Sequence, residues 1–101
     1  MKIESIVIVG RMWFDRLAGK EVYSAEIVVN GELVKKLEPS DTYCQGDKHI
    51  VMANDWLSDN GFLDNPRKGP MNIRTPLWRL KDELGFCLLT SIDQVRHRKQ
   101  L

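Results

Sequence analysis

Cysteine is scarce in this chain, which has only two, Cys44 and Cys87. They lie far apart without CxxC spacing, so their number excludes a disulfide framework and a four-cysteine zinc site. We interpret both as reduced thiols of a cytoplasmic protein. A Cys44–Cys87 bridge is the alternative, which the same compartment argument disfavours.

Long apolar runs are also lacking. No run exceeds the length of Ile6 to Val9, far short of the roughly 20 residues that a membrane-spanning helix requires. The N-terminus has no long apolar stretch of the signal-peptide kind. We therefore expect no membrane contact and a location in the cytoplasm.

The residues that could act in catalysis or bind a metal do not form a known sequence motif. The two histidines, His49 and His97, belong to no HExxH or EF-hand pattern. Cys44 and His49 could form a nucleophile and base near a helix start. Asp41, Asp47 and His49 could together ligate a metal. We favour a loop cysteine and two surface histidines, and expect no enzyme activity, no metal and no cofactor.

The rest of the composition is that of a globular protein, with 43% apolar and 29% charged residues. A chain of 101 residues fits one domain with one core, so residues 1–101 are treated as one unit. Residues 1–61 hold seven Lys and Arg against ten Asp and Glu, a net charge of −3. Residues 62–101 hold eight against four, a net charge of +4. A polyanion should therefore bind the second part.

Three strands are predicted in the first part. Residues 2–14 are rich in β-branched and aromatic side chains, and we expect a bulge or bend at Gly10. Residues 21–29 alternate as a strand with one buried face does. Asn30-Gly31 suits a two-residue type I′ turn into a third strand at 33–37.

The third strand is short and charged, which is typical of a sheet edge, and this edge could also pair with a second copy. Pro39 to Asp41 should then end the sheet.

Two helices and a fourth strand are predicted to follow. The first helix spans residues 48–60, with Asp47 as its cap and Gly61 at its end. The second begins with Thr75 as N-cap and Pro76 at the first helical position, and it ends at Gly85. A short strand at 86–90 and a frayed basic tail complete the chain.

These elements predict an α+β fold in the order β-β-β-α-α-β. We expect an antiparallel sheet of three to four strands with both helices packed on one face.

A series of short motifs lies between Arg11 and Leu57. They are Arg11-x-Trp13-Phe14-Asp15, Gly19, Tyr23-Ser24, Asn30-Gly31-Glu32-Leu33, Tyr43 and Gly46-Asp47. In order and spacing this series resembles a group of small phage-encoded proteins of unknown function. The resemblance implies a viral or prophage origin and a fold, without an activity. Because small phage accessory proteins often bind host nucleases or defence complexes, it suggests inhibition by binding.

The residues expected to bind a protein partner are Arg11, Trp13 and Tyr43. Trp13 and Phe14 are adjacent and must face opposite sides of their strand, so one ring lies away from the core. That ring either packs under a loop or the second helix, or anchors a partner. Arg11 shares the face of Trp13 and could stack on it.

Direct binding of DNA or RNA through residues 67–99 is the alternative. Arg79 and Lys81 should point outward from the second helix, and a helix, strand and basic tail are similar to part of a winged helix. Asp82 and Glu83 would repel phosphates, and a plain solvated surface is the third interpretation. The residues expected on nucleic acid are Arg74, Arg79, Lys81, Arg96 and Arg98.

Overall fold

A computed structural model describes residues 2–42 and 47–101. Its elements are β1 (Ser5–Asp15), β2 (Lys20–Val29), β3 (Glu32–Thr42), α1 (Lys48–Asp59), α2 (Leu77–Leu84), β4 (Cys87–Val95) and a 3₁₀ turn (Arg98–Gln100). The predicted α+β class and element order are confirmed.

The four strands form one sheet in the order β3-β2-β1-β4. β1 and β2 are antiparallel, as are β2 and β3, whereas β4 runs parallel to β1. The sheet is therefore mixed, and not purely antiparallel as predicted. The two helices between β3 and β4 form a crossover, the kind of connection that a parallel neighbour requires.

Both helices pack on one face of the sheet and enclose the core. Its fully buried apolar side chains include Ile6, Ile8, Ile27, Ala53, Leu57 and Leu77. Burial alternates along β1 from Ser5 to Gly10 and along β2 from Ala25 to Val29. Val22 to Ala25 are buried in succession, so the period of two predicted for residues 21–29 is present only in the second half of β2. The opposite sheet face is therefore left without either helix.

The predicted turn at Asn30-Gly31 is present, with φ angles of 50° and 84°. The Asn30 side chain also holds the N-terminal segment. Its Oδ1 accepts the amide hydrogens of Glu4 (2.7 Å) and Ser5 (3.1 Å), and its Nδ2 donates to the Lys2 carbonyl (2.9 Å). One residue thus shapes the hairpin and fixes the start of β1.

β3 continues to Thr42, so the prediction that Pro39 to Asp41 end the sheet is wrong. The register of β2 and β3 shifts between Tyr23 and Ala25, opposite the segment that contains Pro39. A proline is tolerated at such a shift on an edge strand, because no ladder hydrogen bond needs its missing N–H.

Gly10 forms neither a bulge nor a bend. It pairs in register with Ala25 on β2 and Ile92 on β4. The space that its side chain would occupy is taken by His49 of α1, since an added Cβ would lie 2.5 Å from His49 Cδ2. The glycine permits a close approach of α1 to β1.

The helix bounds agree closely with the predictions, although both N-termini differ in detail. The Asp47 side chain makes no capping hydrogen bond. Pro76, in extended conformation, is the N-cap of α2, one residue later than expected. Thr75 is tied elsewhere, because its amide donates to Asn65 Oδ1 (3.1 Å) and its carbonyl accepts from Asn65 Nδ2 (2.8 Å).

Both helices end as predicted, at glycines with left-handed backbone. Gly61 has φ 78° and Gly85 has φ 76°. After Gly61, the Phe62 amide donates to the Leu57 carbonyl at 2.9 Å.

β4 extends to Val95 instead of ending near Thr90. The tail beyond it is held, because Gln100 Oε1 accepts the amide hydrogens of Arg96 (3.0 Å) and His97 (2.9 Å). The expected fraying is therefore not found.

Candidate functional site

The face of the sheet opposite the helices is the candidate site, and we call it the open face. Residues paired in register on neighbouring strands share a face. Starting from Arg11 and Trp13, the pairing places these side chains on the open face: Val7, Val9, Arg11, Trp13, Val22, Ser24, Glu26, Val28, Leu89, Ser91, Asp93 and Val95. The two end rows of this face are apolar, and its five polar or charged side chains lie in the two rows between them.

Trp13 lies near the end of this face, half-buried between two aliphatic neighbours. Its register partners are Val22 on β2, which is buried, and Val95 on β4. Neither helix covers the ring, whereas Arg98 of the tail lies beside Val22 and Asp41 at this end of the same face. A half-buried indole between aliphatic side chains is held in place and still offers an accessible edge.

A groove of about 910 Å³ opens beside Trp13, where the parallel strands β1 and β4 both end. It is lined by side chains of β1, the following turn and the end of β4, among them Trp13, Phe14, Leu17, Val95 and Arg96. Phe14 and Leu17 are exposed. Aromatic residues and arginine are the types that dominate protein-binding hot spots.

Arg11 takes part in a row of charges across three strands. Its Nη1 lies 3.3 Å from Glu26 Oε1, and Lys36 Nζ lies 3.8 Å from the same oxygen. Arg11 therefore pairs with Glu26 instead of stacking on Trp13 as predicted. Partly exposed pairs of this kind contribute little to stability.

Tyr43, the third expected partner-binding residue, lies outside the described residues, as does Cys44. The Cys44–His49 pair is therefore also outside them.

His49 is a buried residue, so its predicted place on the surface is wrong. It is 3% exposed and stacks on Tyr23, with ring centroids 6.0 Å apart and planes 9° from parallel. Burial lowers the pKa of its imidazole, against a smaller opposing effect of Asp47. Its Nδ1 has no hydrogen-bond partner among the described residues.

Asp41, Asp47 and His49, which were considered as possible metal ligands, do not form a group that could hold a metal ion. Asp41 is exposed and bonded to Lys20 (3.3 Å), which lowers the pKa of the Asp41 carboxyl. Residues 2–42 and 47–101 contain no group of three or more acidic, His or Cys side chains placed to hold a metal ion.

Arg74 is engaged within the protein, although it was expected on nucleic acid. Its two terminal nitrogens each lie 2.6 Å from a carboxylate of α1, one on Asp55 and one on Asp59. Its Nε donates to the Asn65 carbonyl at 3.0 Å. The side chain is 12% exposed, so Arg74 fastens the segment before α2 to α1.

The other four basic residues of the expected set lie on two parts of the chain, α2 and the segment after β4. Arg79 Cζ sits 5.7 Å from the ring centre of Trp78 on α2, and Lys81 pairs with Asp82 at 3.0 Å. Arg96 and Arg98 follow the far end of β4, a strand about 30 Å long at roughly 3.3 Å per residue. Arg98 contributes to the electrostatic surroundings of Asp41, at the β2–β3 side. Of the expected nucleic-acid set, Arg74 and Lys81 thus pair with carboxylates of this chain.

Sequence reasoning missed the part that β4 plays in the site. Leu89, Ser91, Asp93 and Val95 share one face of β4. Two of them are apolar and two polar, so no period-two pattern in the sequence extends the strand past its predicted end at Thr90.

No protein-family model matches the chain, and neither a curated protein nor a solved structure is significantly similar to it. Within the part of the chain that the structure describes, no helix is long and apolar enough to span a membrane.

Proposed function

We propose that this chain is a non-enzymatic, phage-type accessory protein that binds a host or phage protein through its open face. The partner acts in nucleic-acid processing or defence, and binding in the host cytoplasm modulates it, in the simplest case by inhibition. The phage origin and the class of partner rest on the motif resemblance between Arg11 and Leu57.

The placement of Trp13 is the observation that supports the binding surface. The ring lies on a sheet face without a helix, beside the groove lined by Phe14 and Leu17. Hot spots are typically aromatic and are surrounded by neighbours that exclude water. Val22 and Val95 stand where such neighbours are needed.

The molecule is large enough to provide the area of a standard protein–protein interface on one side. Its extents are 42 × 35 × 20 Å, so it is thin in one direction, as a sheet with one helix layer should be. The open face is one of the two broad sides. A standard interface takes about 800 Å² from each partner, which one such side can provide.

A capture experiment with two tryptophan variants tests this proposal. Immobilised wild type, Trp13→Ala and Trp78→Ala are incubated with host lysate, and bound proteins are quantified by mass spectrometry. Trp78 is 61% exposed on α2, away from the open face, and is the matched control. We expect Trp13→Ala to lose its partner by about thirtyfold, as for a hot spot of 2 kcal/mol, and Trp78→Ala to retain it.

Thermal unfolding of each variant first establishes that it is folded, and Trp13→Phe serves as a milder change if alanine lowers stability. Equal recovery of the same partner by wild type and Trp13→Ala would remove Trp13 from the interface. If only Trp78→Ala loses the partner, the interface lies on the helix layer and not on the open face.

Direct binding of nucleic acid is a second candidate, and the contact of Arg79 with Trp78 favours it. A guanidinium over an exposed indole resembles the stacking platforms that hold single-stranded nucleic acid. Gel shifts over a salt series test this, with wild type against the Arg79→Ala/Arg98→Ala double variant. Affinity that falls steeply with salt and disappears in the double variant supports this candidate, and no shift at low salt contradicts it.

A further inference from the structure

The two edges of the sheet differ in how they are protected against pairing. The β3 edge has two register shifts, Pro39 and several charged side chains, which are common guards against edge-to-edge association. The β4 edge, Cys87–Val95, has no proline and a single charge, Asp93. Its Leu89 and Ile92 are 61% and 44% exposed. β4 is therefore an unguarded edge, which natural proteins seldom leave without a partner.

The backbone of β4 offers free hydrogen-bonding groups at regular intervals. The Cys87 amide donates inward, to the Glu4 carbonyl at 2.9 Å. In a parallel ladder the bonding direction alternates along the strand, so every second residue from Cys87 bonds to β1. The residues between them point their N–H and C=O groups at the edge, where no described strand lies: Leu88, Thr90, Ile92 and Gln94.

We propose that a second copy of this chain pairs with this edge, β4 against β4 in antiparallel orientation, with the two-fold axis at Ser91. This register uses all of β4. It places Leu88 opposite Gln94 and Thr90 opposite Ile92, so all four outward-bonding residues meet outward-bonding residues of the copy. Ser91 faces its own counterpart as a non-hydrogen-bonded pair, with about 4.5 Å between Cα atoms.

The side chains of β4 suit this register. The single charge, Asp93, lies opposite Leu89 and not opposite the other Asp93, so like charges do not meet. Cys87 lies opposite Val95. Because β3 is guarded, the assembly closes as a dimer with one continuous sheet and does not extend into a fibre.

Cross-linking tests the axis directly. In a Cys44→Ser/Cys87→Ser background, Ser91→Cys should form a disulfide-linked dimer under mild oxidation, since the facing Cα atoms are within disulfide range. The matched control is Lys35→Cys on the β3 edge, which should stay monomeric. A dimer linked through Thr90→Cys but not Ser91→Cys would overturn the proposed axis.

Sedimentation of the unmodified chain tests the dimer itself. We expect twice the monomer mass across the micromolar range, and the monomer mass for Thr90→Pro. The Thr90 amide points to the free edge, so proline removes no hydrogen bond within the chain. Thr90→Lys/Ile92→Lys is a second variant that keeps the backbone unchanged. A wild type that stays monomeric, or a dimer that these edge variants leave intact, overturns the proposal.

Discussion

The imidazole of His49 occupies the place where any residue other than glycine at position 10 would put its side chain. A Cβ on Gly10 would lie 2.5 Å from His49 Cδ2, 2.7 Å from Cγ and 3.0 Å from Cβ. The His49 Cβ is fixed by the backbone of α1 and cannot move by side-chain rotation, whereas Cγ and Cδ2 could move only through a change of the χ1 rotamer. Helix and strand are therefore in contact through one glycine and one histidine.

Gly10→Ala should lower the free energy of unfolding by about 1–3 kcal/mol, because α1 must shift to admit the methyl group. Urea denaturation measures this. The Gly10→Ala/His49→Ala double variant is the control, since it removes the clash and should lose less stability than the two single changes combined. A Gly10→Ala protein as stable as wild type would contradict the close packing.

Stability should fall with acidification because of His49. Burial lowers its pKa below the ordinary value of 6.5, so as pH drops the unfolded chain takes up the proton before the folded chain does. The contribution of neutral His49 is complete above pH 6.5 and is lost as pH falls from there toward the lowered pKa.

Urea titrations at several pH values between 7.5 and 5 measure this slope. His49→Phe keeps a ring against Tyr23 and should flatten this slope. An unchanged slope in His49→Phe would assign the pH dependence to other groups.

Asn30→Gly should destabilise the protein although glycine suits the turn. The positive φ is kept, and the hydrogen bonds to Lys2, Glu4 and Ser5 are lost, at a cost of about 1–2 kcal/mol. Asn72 also has a positive φ, 54°, and lies outside the hairpin. Asn72→Gly should therefore be close to neutral, and equal thermal shifts in the two variants would show that only backbone conformation matters.

Arg74→Met should cost about 1–3 kcal/mol, since charge-assisted hydrogen bonds to Asp55 and Asp59 disappear. Arg67 pairs with the same Asp55 at 3.4 Å but is more exposed, so Arg67→Met should change stability by less than about 0.5 kcal/mol. Arg74→Lys cannot bridge both carboxylates and should recover only part of the loss. Thermal unfolding ranks the variants, and a neutral Arg74→Met would leave this residue available to a ligand.

The elements that local chemistry determines were predictable from sequence. The Asn30-Gly31 turn and the helix ends at Gly61 and Gly85 follow from residues that accept positive φ. The faces of Arg11 and Trp13 follow from alternation along one strand. Each of these features depends on residues that are neighbours in the chain.

The features that sequence reasoning missed depend on contacts between distant segments. The parallel direction of β4 is set by the crossover through α1 and α2. The role of Gly10 is visible only once His49 is placed above it. In the sequence Arg74 is one more basic residue of the second part, and only the structure shows that it pairs with Asp55 and Asp59.

The pairing of β1 with both β2 and β4 has a consequence for biosynthesis. The hairpin can form as soon as β2 has left the ribosome, whereas the other side of β1 waits for β4, a delay of roughly 3–13 s at 5–20 residues per second. Until then the side of β1 that later pairs with β4 is an unpaired strand edge in the nascent chain. Neighbouring chains on one polysome are therefore most exposed to mispairing before residue 87 is translated.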